Sequence, residues 1–221
     1  MFEDFINLLF PETCVCCEQV LSINEPPVCH SCFKDLPIVE IDNLIAYNKL
    51  VGRVNIQKIY SYLKFNKGGK SQKILHELKY RNNPELGIYI GKSFANYLKE
   101  QKINLEIDYL LPVPLHHKRL KSRGYNQAEA IAIGFAEVNK LTLDKSLLKT
   151  KEASTQIKKG RTARLENMQD CFSVLPSTQF QGKHIGILDD VITTGATLES
   201  CCMCLAKAGV EKITVLSLAV A

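Results

Sequence analysis

An α/β protein with a mostly parallel sheet flanked by helices, preceded by a small cysteine-rich head, is the architecture this sequence predicts. Two observations carry that expectation. From residue 54 onward, stretches with strand texture alternate with stretches of helical period, the pattern of a parallel sheet with crossover helices. Before that point the texture differs, because Cys14, Cys16, Cys17, Cys29 and Cys32 crowd together with Pro11, Pro26, Pro27 and Pro37.

Composition bounds the answer. At 221 residues the chain can hold one large domain, or one ordinary domain and a small one. Apolar residues make up 46% and charged residues 23%, as in ordinary globular proteins. No apolar run reaches the length of a membrane span. The opening "MFEDFINLLFPETC" carries Glu3 and Asp4 where a secretory signal carries cations. It reads as an amphipathic helical segment with Phe5, Leu8 and Leu9 on one face, and a cytoplasmic protein is expected. The net charge of +5 suits phosphate-bearing ligands or nucleic acid and demonstrates neither.

The head, residues 1–48, is too short to bury an adequate core unaided. In a reducing compartment its cysteines suggest a metal site rather than a disulfide framework. Cys14 with Cys17, and Cys29 with Cys32, form two C-x-x-C pairs, and two such pairs complete a tetrahedral zinc site. The 11 residues between the pairs are fewer than the usual spacing. Cys16 and His30 are further candidates, and a cysteine redox site is the rival reading. With four protein ligands the zinc is structural, and no catalysis is expected at it.

The body, residues 49–221, is read element by element. "VNIQKIYSYLKF" (54–65) has the β-branched and aromatic content of a strand. In "PELGIYIGKSFANYLKE" (84–100), Leu86, Ile90, Phe94 and Leu98 recur every four residues, which predicts a helix with one buried face. "IDYLLPVP" (107–114) is a strand stopped by prolines. A helix follows over 126–140, with Asn126 as N-cap and Ile131, Phe135 and Val138 inward. Residues 150–168 read as a mobile loop leading into a short helix. "HIGILDD" (184–190) is a buried strand, 197–208 a helix with Cys201 or Cys202 facing the core, and 212–220 a closing strand.

"ILDDVITTGATLES" (187–200) carries the chemistry. In parallel sheets ligands bind at the carboxyl ends of strands, where Asp189 and Asp190 are expected. Thr193, Thr194, Gly195, Ala196 and Thr197 then open a helix, whose N-terminus offers N–H donors and partial positive charge to a phosphate. Carboxylates repel phosphate, so the acids must serve another part of the same ligand. Adjacent ribose hydroxyls suit them, and the stretch reads as a ribose 5-phosphate site. The bland alternative is a capped helix after a strand.

This stretch resembles the phosphoribosyl pyrophosphate (PRPP) motif of type I phosphoribosyltransferases. The resemblance implies that Asp189 and Asp190, as the catalytic pair, bind the ribose 2′- and 3′-hydroxyls, and that residues 193–197 hold the 5-phosphate. It also implies magnesium bound with PRPP, and displacement of pyrophosphate by a nitrogen nucleophile. A second stretch, "LLPVPLHHKRLKSRGYNQA" (110–128), offers Arg119 and Arg123 as guanidinium forks for pyrophosphate. The plain alternative is a solvated cationic loop, with His116 and His117 as surface residues.

"PVPLHHKRLKSRGYNQA" is similar to the competence protein F (ComF) family of phosphoribosyltransferase-like proteins, as are the cysteine-rich head and "LKYRNN" (78–83). That resemblance puts Lys79 and Arg81, in a Lys-Tyr loop, on the pyrophosphate side together with Arg119, Arg123 and Arg164. The chain keeps the family's Gln156, Arg164, Asn167 and Phe172 but has Ala153 and Lys159 where Thr and Leu are expected. It further implies a role in natural transformation, with single-stranded DNA and the DNA-uptake machinery as partners. Two readings follow: a PRPP-binding protein, leaning to a transferase of unknown acceptor, or a single-strand binder that keeps the fold without turnover. Tyr60, Tyr62, Tyr80 and Tyr125 are the stacking candidates for the second.

Overall fold

The computed structural model describes residues 11–41, 44–50, 56–150, 171–176 and 178–221. In chain order, α1 (His30–Lys34) and α2 (Leu44–Leu50) precede β1 (Lys58–Lys64), and α3 (Lys70–Tyr80) and α4 (Pro84–Glu100) follow it. Next come β2 (Tyr109–Pro112), α5 (His117–Arg123), α6 (Gln127–Asn139) and β3 (Thr142–Leu143). An antiparallel pair, β4 (Leu147–Lys149) and β5 (Phe172–Val174), leads to β6 (His184–Ile192), α7 (Ala196–Lys207) and β7 (Lys212–Val220). The main sheet has the order β1-β7-β6-β2-β3, and every pairing in it is parallel.

The middle strands are covered on both faces, so they carry continuous apolar runs. Ile185 to Leu188 on β6 and Ile213 to Val220 on β7 are all buried. Polar members of these runs are paired: the Ser61 and Ser217 hydroxyls meet at 2.7 Å, and His184 Nε2 lies 2.9 Å from Thr214 Oγ1. The outer edge of β1 is closed by the head's own chain. Ile38 bridges Leu63, and the Val39 N–H donates to the Tyr62 carbonyl at 2.8 Å.

Helix α4 buries the stripe the spacing predicts: Leu86, Ile90, Phe94 and Leu98 are at most 1% exposed. Burial of each is worth about 1.5–3 kcal/mol. Pro84 opens it, and the Asn83 side chain caps it by accepting from the Leu86 N–H at 3.0 Å. It crosses α6 at three glycines, Gly87, Gly91 and Gly134; a Cβ on Gly91 would lie 2.1 Å from the Ile131 carbonyl oxygen. Asn126 caps α6 as expected, accepting from Ala128 N–H at 3.1 Å.

Several local expectations differ. The first strand is confined to residues 58–64, and β6 runs two residues past Asp190, so the acids lie within the strand and are not its last residues. Lys79 and Tyr80 belong to the last turn of α3 and not to a loop. The arginine stretch folds as helix α5, none of whose residues is buried. His116 is buried at 5% exposure, against the expectation of a surface residue. The N-terminal helical segment, the loop over 150–168 (Thr150 excepted) and Arg164, Gln156 and Asn167 lie outside the described residues. No helix among those described is long and apolar enough to cross a membrane.

Candidate functional site

The chain runs from β2 outward to β3, then returns to β6 on the other side of β2. A crevice at the carboxyl ends of a sheet forms where the winding reverses in this way. Between β2 and β6 that crevice is flanked by the acid pair on one side and by the turn into α5 on the other. The Val113 N–H donates to the Leu188 carbonyl at 2.8 Å, which ties the start of that turn to the strand carrying the acids.

Asp189 and Asp190 are both half-buried. The Asp190 N–H donates to Asp189 Oδ1 at 2.9 Å, while Asp190 Oδ2 pairs with Lys79 Nζ at 2.8 Å. Burial first, and the Asp190 charge second, push the Asp189 carboxyl up to about 7. The Asp190 N–H, Lys79 and Lys149 act in the opposite sense and do not offset them. Lys149 comes from β4 and sits 5.1 Å from the centroid of the Phe172 ring. Sequence reading missed it, because only the fold brings the β4–β5 pair to this end of the sheet.

Residues 193–195 form the turn between β6 and α7, with Thr193 and Thr194 exposed at its tip. Gly195 has φ +80, the left-handed region that other residues enter at a cost. A Cβ there would lie 2.7 Å from Leu50 Cδ2 and 3.0 Å from the Lys49 carbonyl oxygen. The close approach glycine permits is therefore to helix α2. Lys49 also donates to the Thr193 carbonyl, so α2 braces the loop from behind. Below it α7 buries Leu198, Cys201, Cys202 and Leu205, and both of the first two cysteines face the core.

The predicted basic residues are spread out. Lys79 reaches the acids. Arg81 lines a separate cavity between α3 and the head, with Thr13, Cys14, Lys73 and His76. Arg119 is exposed on α5, and Arg123 donates to Gln127 Oε1 at 2.8 Å. Of the four tyrosines, Tyr62 is 1% exposed and stacked on Phe94, and Tyr125 donates to the Leu78 carbonyl at 2.6 Å. Only Tyr80, 67% exposed, offers an open ring.

In the head, Cys14, Cys17, Cys29 and Cys32 bring their sulfurs within 4.8 Å of one another. Cys17 and Cys29 sulfurs are 3.8 Å apart, and four thiolates at about 2.3 Å from one ion form a tetrahedron with edges of about that length. The Cys14 sulfur accepts from the N–H groups of Cys16 at 3.4 Å and Cys29 at 3.3 Å. Burial raises the Cys14 thiol, but these N–H donors, with that of Cys17, outweigh it and bring the thiol down to about 6. Cys16 stands outside the set, its thiol pushed up to about 11 by burial. The donor set fits one tetrahedral metal ion. The head is also tied to α3: Lys73 Nζ donates to the Cys16 carbonyl at 2.6 Å, and Lys70 pairs with Asp35 at 3.0 Å.

Comparison with known proteins agrees with the family resemblance. "Competence protein F" of Haemophilus influenzae is 36% identical over 112 residues, which are 50% of this chain and 49% of that protein. "Competence protein ComFC" of Streptococcus pneumoniae is 30% identical over 131 residues, 58% of this chain and 56% of that one. "DNA utilization protein YhgH" of Escherichia coli is 25% identical over 147 residues, 64% of this chain and 63% of that one. The chain thus spans about half to just under two thirds of the curated relatives it matches. No family model matches. Among solved structures, glutamine PRPP amidotransferase from Bacillus subtilis matches with a TM-score of 0.45 at 21% identity, over 64% of this chain and 30% of that one. Adenine phosphoribosyltransferase from Saccharomyces cerevisiae matches with a TM-score of 0.39 at 15% identity, over 63% of this chain and 72% of that one.

Proposed function

We propose that this protein binds PRPP in the β2–β6 crevice and acts in handling imported DNA. One observation carries the reading: two adjacent, half-buried carboxylates on β6 are followed, six residues after Asp190, by the first residue of α7. The acids suit two neighbouring hydroxyls. Loop residues Thr193 to Thr197 offer hydroxyls and N–H donors to the 5-phosphate. Lys79, held on Asp190, is positioned between the ribose and the pyrophosphate, and Arg119 and Arg123 on α5 extend the cationic side. Arg81 and Arg164 belong to the same proposal.

Magnesium bound with the substrate would neutralise pyrophosphate oxygens and assist their departure. With turnover, the C1–O bond to pyrophosphate breaks, the leaving group takes the electron pair, and C1 bonds to nitrogen, which gives up a proton. The negative charge of Asp190, joined by that of Asp189 above about pH 7, would favour the cationic sugar at that stage. The metal of the head is read as structural zinc, closed by four thiolates. Residues 1–48 are read as a zinc-binding head on a body of residues 49–221, in a cytoplasmic protein.

Isothermal titration of the metal-loaded protein with PRPP tests this, with and without magnesium. Saturable binding supports the site, and no heat in either condition overturns it. A second reading, single-strand binding without turnover, is favoured by α5, a helix with no buried residue that carries Lys118, Arg119, Lys121 and Arg123. Oligothymidine binding that weakens steeply between about 50 and 200 mM salt would support it.

A further inference from the structure

The turn between β6 and α7 is anchored by a cation from a distant part of the chain. Thr193 stands exposed at the tip of the turn, yet its carbonyl accepts from Lys49 Nζ, 144 residues earlier. Lys49 lies half-buried in the last turn of α2, next to the fully buried Leu50. The same two residues back onto Gly195, where a Cβ would meet Leu50 Cδ2 and the Lys49 carbonyl oxygen. The turn therefore rests on α2 at two points, a peptide carbonyl and a glycine two residues on.

Holding a carbonyl fixes more than one atom. The Thr193–Thr194 peptide is trans, and a trans peptide is planar with its C=O and N–H on opposite sides. With the Thr193 carbonyl held toward α2, the Thr194 N–H is turned to the other face of the turn, away from α2. That N–H begins the series of donors that leads into the first turn of α7, where N–H groups and the helix dipole suit an anion. Electrostatics act in the same sense. The C-terminal carbonyls of α2 bring partial negative charge to the back of the turn, which opposes an anion, and the Lys49 ammonium offsets it. An unanchored turn would have to be ordered when the anion arrives, whereas the anchored one presents its donors beforehand.

We propose that Lys49 is a positioning residue for the phosphate loop: its ammonium holds the Thr193–Thr194 peptide in the orientation that presents N–H donors to a phosphate monoester. The proposal rests on the ribose-phosphate reading for the identity of the anion. Two lysines from different helices then serve the two halves of one site, Lys79 at the acids and Lys49 behind the loop.

Two variants of the metal-loaded protein test it. Lys49→Met keeps the apolar stem and removes the ammonium, and Lys49→Arg keeps a cationic donor. Hydrogen exchange is read first, without ligand. Amides of residues 193–197 should exchange about tenfold faster in Lys49→Met, with β6 and β7 unchanged, and Lys49→Arg should keep their protection. Calorimetry with ribose 5-phosphate should then show binding about tenfold weaker in Lys49→Met and recovered in Lys49→Arg. Magnesium pyrophosphate, which lacks the 5-phosphate, should bind all three proteins alike. Equal weakening of both ligands in Lys49→Met would mean a general loss of positive charge and overturn the positioning role. Unchanged exchange over 193–197, or unchanged ribose 5-phosphate affinity in Lys49→Met, overturns it as well. Failure of the unsubstituted protein to bind ribose 5-phosphate overturns the ribose-phosphate reading and the role of Lys49 with it, and that failure is visible before any substitution is made.

Discussion

The cysteine cluster draws four thiols from one tight turn and the start of α1, whereas the acid site and its bracing draw charged groups from four separate elements. Cys14 with Cys17 and Cys29 with Cys32 are each three residues apart, and their sulfurs converge within 4.8 Å. Asp189 and Asp190 on β6 meet Lys79 from α3 and feel Lys149 from β4, and Lys49 from α2 braces the adjoining loop. The first arrangement is local and has the donor set for one ion. The second depends on the sheet and its helices holding distant side chains in place. The two regions should therefore fail independently, and each of the following changes is chosen to test that.

The largest effect is expected from Cys29→Ser with Cys32→Ser. Metal content should fall from one ion per chain to none, with loss of stabilisation on the order of 10 kcal/mol in the head. Hydrogen exchange should show amides of residues 11–41 losing protection while β6 and β7 keep theirs. Loss of protection in the central strands as well would break the comparison. Phe94→Ala should do the reverse. It removes a ring packed between Tyr62 and Phe135, at centroid distances of 5.4 and 5.1 Å, and should cost about 3–5 kcal/mol in urea unfolding with metal content unchanged.

A smaller effect, about 1–2 kcal/mol from backbone strain alone, is expected from Gly195→Ala. The added Cβ also meets α2, so PRPP affinity should fall by more than stability does, read by calorimetry beside thermal melts. The subtlest change is in pH dependence. Asp189 keeps its proton in the folded state up to about pH 7, whereas an unfolded carboxyl releases it near pH 4. Its contribution to stability is thus fully present below about pH 4 and is lost as pH rises through about 7. The melting temperature should fall between about pH 4 and 7, and Asp189→Asn should flatten that fall. Burial sets its midpoint first, and the facing Asp190, Lys79 and Lys149 adjust it.

The sequence made the two regions legible to different degrees for the same reason. Cysteine spacing is a local signal, and so is an apolar strand followed by two acids and a threonine loop. The stripe of α4 was equally plain, because four residues repeat at helical spacing and all are buried. Helix α3 was missed beyond its end: it is mostly polar, with only Ile74, Leu75 and Leu78 turned inward among its hydrophobic residues. Helix α5 was missed because it has no buried face at all. The pairing of Lys79 with Asp190 and the bracing of Gly195 by α2 join residues far apart in the chain, and no local pattern encodes them.

The most direct measurement is calorimetric titration with PRPP and magnesium of the unsubstituted protein beside Asp189→Asn/Asp190→Asn. Hydrogen bonds to charged groups contribute about 1.5–3 kcal/mol each, so the double variant should bind about 100-fold more weakly or worse. Saturable binding in the first and its loss in the second is the predicted result. Equal affinity in both would mean that the acid pair on β6 does not hold the sugar.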